Sequence, residues 1–451
     1  MIGGWFQITL WKRVLIGLAL GLVVGLAIRY GIGPEAAAPF ADAWLKPFGD
    51  AFVNLIKMLV VPLIFTTLVA GVTAMGDPAR LGGLGGRAIA MYLVTTWFAV
   101  SLGLLMGTIF QPGAGVDASA FGPTADCAAV LAGEIEADAN VREICERVAA
   151  AQGANATVAA KLLAIIPTNP VEALAETNVL AIIFFAILFG VGCLLAGEKG
   201  RPVAAAIESA ADVMLKVTVM VMELAPFGVF FLMSWIMAKL GISILDNLGL
   251  LAIALYLACA LHIVIVYGLG IVKLLLRLPL VRFFRGIADA QAVAYSTASS
   301  SGTLPVTIAN VSENLGVKKS VAASVLPVGA TINMDGTAIY LGLVALFAAQ
   351  ALNLPITPEM YVGVALAATL TSIGAAGIPS AGLLLATVVM TEVGVPPEQA
   401  VVVIAFIFPF DRLLDMMRTM TNVTGDAAIA SAVAKWEDEL DEEVFRSPAV
   451  V

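Results

Sequence analysis

The chain has 451 residues, 60% hydrophobic and 13% charged, with a formal net charge of -9. A soluble globular protein carries about a quarter charged residues, so the composition excludes an ordinary soluble domain and specifies a polytopic membrane protein. No basic patch with interleaved aromatics points to nucleic acid as a partner.

Apolar runs of roughly 20 residues, enough to cross a ~30 Å hydrocarbon core, begin at 11–30 with WKRVLIGLALGLVVGLAI. No small-residue cleavage site followed by a soluble domain accompanies that run, so a retained helix is expected rather than a signal peptide. Further spans are expected at 51–74, 88–110, 204–238 and 248–276, with a longer broken region at 158–196. Within it, IIPTNPVEALAETNVLAIIFFAILFG opens with proline turn chemistry and then resumes as a helix, which predicts a bend. The insert 113–157 reads as an exposed loop. Its acidic part holds Asp117, Asp126, Glu134, Glu136, Asp138, Glu143 and Glu146 against Arg142 and Arg147, and belongs outside the cell. Lys12, Arg13, Arg80, Arg87, Lys199, Arg201, Arg277, Arg282 and Arg285 mark the alternate, cytoplasmic connections by the positive-inside rule. Cys193 and Cys259 fall in apolar runs and read as core residues. A disulfide between Cys127 and Cys145 in the acidic segment is permitted but left open by the spacing. Asn155-Ala156-Thr157 matches a glycosylation triplet of a kind common by chance, and neither CxxC nor HExxH occurs.

The second half carries four polar islands in apolar surroundings: YSTASSSGTLPVT (295–307), GATINMDGTAIY (329–340), TSIGAAGIPSAG (371–382) and DRLLDMMRTMTNVTGD (411–426). The first and third share one pattern, an apolar arm, a Ser/Gly/Pro-rich tip and a second apolar arm, each arm too short to span alone. This predicts two re-entrant hairpins, each followed by a polar-faced or interrupted helix, and therefore two related halves. Such repeats with broken helices point to the binding site of a secondary transporter, since irregular backbone at membrane depth is tolerated only inside protein or a wet cavity. Surface loops would be the alternative, and would leave the charges in the fourth island unexplained. Gly302 and Pro305 are expected to turn the chain at the first tip, while Gly374, Gly377, Pro379 and Gly382 would make the second tip mobile, as in a gate.

At 100° per residue, Asp411, Asp415, Arg418, Thr419, Asn422 and Asp426 fall within about 100° of arc on one helix face. Intramembrane charge is costly and should face the bundle interior with a partner. Arg418 can grip a carboxylate with its planar fork, and Asp415 can hold an ammonium group; a self-neutralising Asp415–Arg418 pair at i,i+3 is the alternative. Asn333, Asp335 and Thr337, loosened by Gly329 and Gly336, offer the oxygens that a hard cation such as Na⁺ needs. Asp335 and Asp426 then read as cation ligands, to which Tyr92, Thr95 and Thr96 add oxygens, although those three alone would equally be packing residues. Serine and glycine at the tips offer backbone N–H groups to anions. His262 could be paired on paper with Ser299, Ser300 or Ser301 as a hydrolase, but the G-x-S-x-G elbow is missing, and a hydrogen-bonded histidine at a helix interface is expected.

At SSSGTLPVT, NMDGTAIY, SIGAAGIPSAG and RTMTNVTGD, in this order and spacing, the chain resembles the dicarboxylate/amino acid:cation symporter family, the glutamate transporter family. LIKMLVVPLIFTTLVAGV and IIPTNPVEALA extend the likeness into the first half, leaving out only the insert 113–157. The resemblance implies an all-α membrane protein with eight transmembrane helices, two re-entrant helical hairpins and inverted repeats, assembled as a homotrimer. It implies a scaffold (1–75 and 158–240) and an elevator-like transport domain (76–112 and 241–436), with 437–451 as an acidic cytoplasmic tail. The expected location is the inner (plasma) membrane, with both termini cytoplasmic.

Carried over position by position, the resemblance implies that Arg418 and Thr337 bind the substrate side-chain carboxylate. Asp415 and Thr419 would take the α-amino group, and Asn422 and the Ser300 N–H the α-carboxylate, with tip contacts around Ala298, Ile378 and Gly382. One Na⁺ site would use Asp426, Asn333 and the carbonyls of Gly329 and Asn422; a second Thr331, Met334, Ser372, Ile373 and Ala375; a third Tyr92, Thr95, Thr96, Asn333 and Asp335. Arg418 together with Asp415 favours aspartate or glutamate as the substrate. Ala298 and Met416 stand where acidic amino acid members often carry a second arginine. Leu341 stands where mammalian members have a glutamate linked to proton and potassium movement, so potassium countertransport by that route is not expected. The expectation is therefore a Na⁺-coupled symporter of acidic amino acids and not an enzyme. A proton-coupled glutamate or C4-dicarboxylate symporter is the alternative, and an anion channel a further one.

Overall fold

The computed structural model describes residues 7–73, 85–116, 163, 165–373, 375, 377 and 379–447. Arg80, Cys127, Cys145, the 155–157 triplet, Gly374 and Ile378, together with the acidic stretch from 117 onward, lie outside the described residues.

The first half is a series of long apolar helices: Leu10–Ile32 (α1), the short Pro34–Trp44 (α2), Lys46–Thr73 (α3) and Gly86–Phe110 (α4). Among its described residues, the broken fourth region contains Pro170–Ala175 (α5) and Val179–Leu195 (α6). Asparagine makes the break: Asn169 Oδ1 accepts from Val171 N at 3.0 Å, and Asn178 Oδ1 accepts from Ala181 N at 3.3 Å. Each cap satisfies donors that a helix start leaves free. Region 204–238, expected as a span, is built from two helices, Arg201–Met222 (α7) and Ala225–Leu240 (α8), bent by 49° at their junction. Pro226 lies in the first turn of α8, where its missing N–H interrupts the ladder at least cost.

α1 and α8 touch along a stripe of small residues. A Cβ at Gly17, Gly21 or Gly25 would overlap the α8 backbone at Pro226, Phe230 and Ser234. The helices lie this close because those side chains are absent, as in membrane helix pairs generally.

Ile244–Leu261 (α9) continues into a wider π-helical stretch, His262–Leu275. Then come Leu280–Gly286 (α10), Ala288–Thr297 (α11), Ser300–Ala309 (α12), Lys319–Ile332 (α13) and Asp335–Ala351 (α14). The chain ends with Pro358–Ile373 (α15), Ala381–Thr391 (α16), the 40-residue Pro397–Trp436 (α17) and Glu442–Arg446 (α18). The only β pairing among the described residues is an isolated bridge, Val317 to Leu440.

Among the described residues, five segments are long and apolar enough to cross a membrane: α1, α3, α4, α9 with its continuation, and Lys319–Ala351. The bent α7–α8 pair makes a sixth. α17 does not qualify by composition, because its own charges lower its hydropathy, although its length is about 60 Å at 1.5 Å per residue. α14 lies at the centre, packed against α4, α9, α15, α16 and α17, and nearly all of its residues are buried. Burial all round accounts for its being apolar all round after the first turn.

At the first tip, Gly302 and Pro305 do not turn the chain as expected; both lie inside α12. The reversal is made by Ala298, in the left-handed region at φ 52°, and by Ser299, which is extended and caps α12 by accepting from Gly302 N at 3.0 Å. Serine can satisfy a helix start with its own oxygen, so no glycine is needed there.

The C-terminal segment straps the base of this region. Lys318 N donates to Glu439 O at 3.0 Å, Asp441 N to Gly316 O at 2.8 Å, and Lys435 Nζ to Leu276 O at 2.6 Å.

Candidate functional site

α17 supplies one side of the site. Asp411, Arg412, Asp415, Arg418, Thr419, Asn422 and Asp426 are each at most 8% exposed. Charges on this face therefore meet protein rather than lipid, as their transfer cost requires.

Arg418 is fully buried. Its Nη2 donates to Asp415 Oδ1 at 2.7 Å and to Asp411 Oδ1 at 3.0 Å. The guanidinium lies over the Tyr340 ring with Cζ 4.0 Å from the centroid, a cation–π contact. Nη1 and Nε have no hydrogen-bond partner. A Cβ on Gly382 would come within 3.3 Å of Nη1 and 2.8 Å of Thr337 Cγ2, so Arg418, Thr337 and Gly382 share one small volume. Glycine at 382 keeps that volume open.

Both oxygens of Asp415 are engaged. Oδ1 is held by Arg418, and Oδ2 accepts from the backbone N–H of Ser380 at 2.7 Å. Ser380 is left-handed at φ 63° and starts α16, so its N–H points away from the helix and toward the carboxylate. The two tips also meet: Gly377 O accepts from Ser299 Oγ at 2.7 Å and from Ser301 N at 3.2 Å. Ser300 and Ala298 are buried beside this junction.

Asn422 faces the gap between α13 and α14. Its Oδ1 accepts from Gly336 N at 2.7 Å and its Nδ2 lies 3.1 Å from Met334 Sδ. Thr419 lies on the same buried face.

The oxygen-rich residues gather on two sides of Asn333. Asn333 Nδ2 donates to Asp426 Oδ1 at 2.9 Å and to Asn422 O at 3.3 Å, and its Oδ1 is buried without a partner. A Cβ on Gly329 would meet Asp426 Oδ1 at 2.5 Å and the Tyr92 hydroxyl at 2.8 Å, so Gly329 packs directly on them. On the other side, Asp335 Oδ1 accepts from Thr96 Oγ1 at 2.6 Å. Tyr92 donates to Val325 O at 3.2 Å, and Thr95 donates to Tyr92 O of its own helix at 3.1 Å. The orphaned Asn333 amide oxygen and the buried Asp426 carboxylate that its Nδ2 reaches are oxygen donors that fit a hard cation, whereas Asp335 already accepts from Thr96 and Tyr267.

The remaining set is less gathered. Thr331 Oγ1 donates to Val328 O at 3.0 Å and Ser372 Oγ to Thr369 O at 2.9 Å, each within its own helix, and Ala375 N donates to Ser372 O at 3.0 Å just past the end of α15. Met334 reaches Asn422 through sulfur, and Ile373 is buried at the end of α15.

Four residues of the site escape the motif reading. His262 Nε2 lies 3.0 Å from Asp335 Oδ2, and the Tyr267 hydroxyl donates to the same oxygen at 2.5 Å. The π-helical stretch explains the pair, because i→i+5 hydrogen bonding brings residues five apart onto one face. His262 is thus the interface histidine expected, with Asp335 as its partner. Tyr340 under Arg418 lies three residues beyond Thr337 in the second island, a spacing that marks one helix face. The fourth is Arg412, buried on the same helix as Arg418.

The sodium:dicarboxylate symporter family profile matches residues 10–436. A proton/sodium-glutamate symport protein of Bacillus caldotenax is 35% identical, over 97% of this chain and 96% of its own. A proton/glutamate-aspartate symporter of Escherichia coli is 34% identical, over 95% and 93%. A C4-dicarboxylate transport protein of Brucella anthropi is 33% identical, over 97% and 90%. These are transporters rather than enzymes, and their likeness runs the length of both chains. With four ordered polar islands, a buried arginine between two carboxylates, and a match from the first helix to the end of α17, the chain belongs to the sodium:dicarboxylate symporter family.

Proposed function

We propose that the protein is a Na⁺-coupled symporter importing aspartate and/or glutamate across the inner membrane. The observation that carries this reading is the Arg418 guanidinium, fully buried, with Nη1 and Nε unspent beside Thr337 and Gly382. A buried, partly unpartnered guanidinium is a receptor for a carboxylate, and the fork geometry of arginine suits a carboxylate best. Asp415 supplies the complementary feature, a carboxylate for the substrate ammonium group.

The side-chain carboxylate would take the free edge of Arg418, and the ammonium group would compete with the Ser380 N–H for Asp415. That exchange would loosen the start of α16 from α17, coupling occupancy to the position of the second tip. The α-carboxylate would meet the N–H groups at the start of α12, where the helix dipole favours an anion, and Asn422 would turn to it from Gly336. Na⁺ would be held by Asp426, Asn333 and neighbouring carbonyls, with Asp335, Thr96 and Tyr92 on the other side. The set of Thr331, Met334, Ser372, Ile373 and Ala375 would be a further position, completed by backbone oxygens as the tips close.

In this reading α11–α12 and α15–α16 are re-entrant hairpins related as inverted repeats, and eight helices span the membrane. Residues 1–75 and 158–240 form the scaffold, and 76–112 with 241–436 form the part that slides as an elevator within a homotrimer. Both termini are cytoplasmic.

Proton coupling is the second reading, since the relatives' names include both ions. The test is uptake of labelled aspartate and glutamate by purified protein in liposomes. An inward Na⁺ gradient at equal pH should drive accumulation against the substrate gradient. Accumulation that follows only a pH gradient would establish the proton reading, and passive leak without accumulation would indicate a channel.

A further inference from the structure

Arg412 is a second buried arginine of α17, three residues before Asp415 and 8% exposed. At 100° per residue it lies about 120° from Arg418, on the opposite edge of the polar face. Arg412 Nη2 donates to Thr297 O at 2.9 Å and to Ser296 O at 3.4 Å. Those are the last carbonyls of α11, groups that a helix end leaves unsatisfied and whose dipole favours a cation. The remaining donors, Nε and Nη1, are buried and unpartnered.

Two features give this arrangement a purpose beyond packing. Immediately after the carbonyls it holds, the chain turns at Ala298 and Ser299 and starts α12. Arg412 therefore fixes the direction in which the first N–H groups of α12 point. It also supplies charge. Asp411 and Asp415 face Arg418 as two carboxylates against one cation, and an acidic amino acid adds a further net negative charge. The proposed Na⁺ positions are matched to Asp426 and Asp335, so a further cation near Asp411 and Asp415 lowers the cost of burying that sum, and the tip itself carries alanine at position 298.

Resting on the proposal that the substrate is an acidic amino acid, we infer that Arg412 is a positioning and specificity residue of the site. It clamps the 296–299 turn and supplies, from α17, positive charge on the side of the site away from Arg418. An arginine at the hairpin tip and one at 412 would then be alternative solutions to one electrostatic requirement.

The test uses full-length protein in liposomes, with Arg412→Gln, Arg412→Lys, and Arg412→Gln combined with Ala298→Arg. Arg412→Gln should raise the apparent KM for aspartate about tenfold or more, the loss expected for a charge-assisted contact, with a maximal rate within about threefold of wild type. Arg412→Lys should stay within about threefold in both parameters, and Ala298→Arg should recover most of the affinity lost in Arg412→Gln. An unchanged KM in Arg412→Gln overturns the inference. So does a double variant that recovers nothing, since a purely structural role is indifferent to charge returned at position 298. If Arg412→Gln alone is not recovered as folded protein, the double variant decides: KM near wild type supports the inference, and KM raised about tenfold overturns it. Wild-type protein that takes up no acidic amino acid would instead refute the proposed function, so the two failures are distinct.

Discussion

The Ser380 N–H donates to one oxygen of Asp415 at 2.7 Å while Arg418 holds the other at 2.7 Å. A single carboxylate thus ties the start of α16 to the buried guanidinium of α17. Any ligand that supplies Asp415 with a stronger donor, or Arg418 with a stronger acceptor, competes with this tie directly.

Asp415→Asn keeps the shape but removes the charge. A hydrogen bond to a charged group contributes about 1.5–3 kcal/mol, so aspartate should bind about 10- to 100-fold more weakly. A C4-dicarboxylate without an ammonium group should lose much less, and succinate should gain as a competitor relative to aspartate. Competition against labelled aspartate uptake measures the ratio; an unchanged ratio would remove Asp415 from ammonium binding.

Arg418→Ala should abolish uptake of acidic amino acids and admit neutral ones. Removing one partner from a buried ion cluster costs about 3–5 kcal/mol, because Asp411 and Asp415 are left uncompensated, so the melting temperature should also fall. Arg418→Lys separates the two effects. It keeps the charge but loses the fork and the stack on Tyr340, and should retain most stability while weakening aspartate about tenfold or more. Aspartate binding unaffected by Arg418→Lys would argue against a bidentate grip on the carboxylate.

Thr96→Ala removes the 2.6 Å hydrogen bond to Asp335. If Thr96 and Asp335 belong to a Na⁺ position, half-maximal uptake should shift to about tenfold higher Na⁺ at fixed pH. Uptake measured against Na⁺ concentration reports this, and a shift confined to substrate affinity at saturating Na⁺ would assign Thr96 a packing role.

Gly21→Leu should destabilise the protein without touching the site. Its side chain would be driven into the α8 backbone at Phe230 and into Met233, and overpacking of this kind costs about 1–3 kcal/mol or more. The expected result is a lower melting temperature in detergent, with substrate affinity unchanged in whatever protein remains folded. Equal stability would mean that α1 moves away from α8 freely.

The polar face of α17 was legible in the residues because helical periodicity is local: charges three, four and seven apart share a side whatever surrounds them. The spans were legible for the same reason, and proline alone did not mark their breaks: Pro62 lies inside the unbroken α3. Region 204–238 reads as one span by hydropathy and consists of two helices bent by 49°, with Pro226 in the first turn of the second. The first tip differs in the opposite sense. Glycine and proline suggested the reversal, yet Ala298 and Ser299 make it, since a serine cap and one left-handed residue suffice.

Family membership, the membrane environment and the identity of the polar islands were determined by the sequence, because hydropathy and motif order need no knowledge of what packs on what. Partnership was decided only by tertiary structure. Thr96 and Asp335 are 239 positions apart, His262 reaches Asp335 across 73, and Ser380 reaches Asp415 across 35. Helical spacing states which side chains share a face, but not which face it meets. For Arg412 that difference is the whole result: one more charged residue on a charged helix, until packing sets it against the last carbonyls of α11.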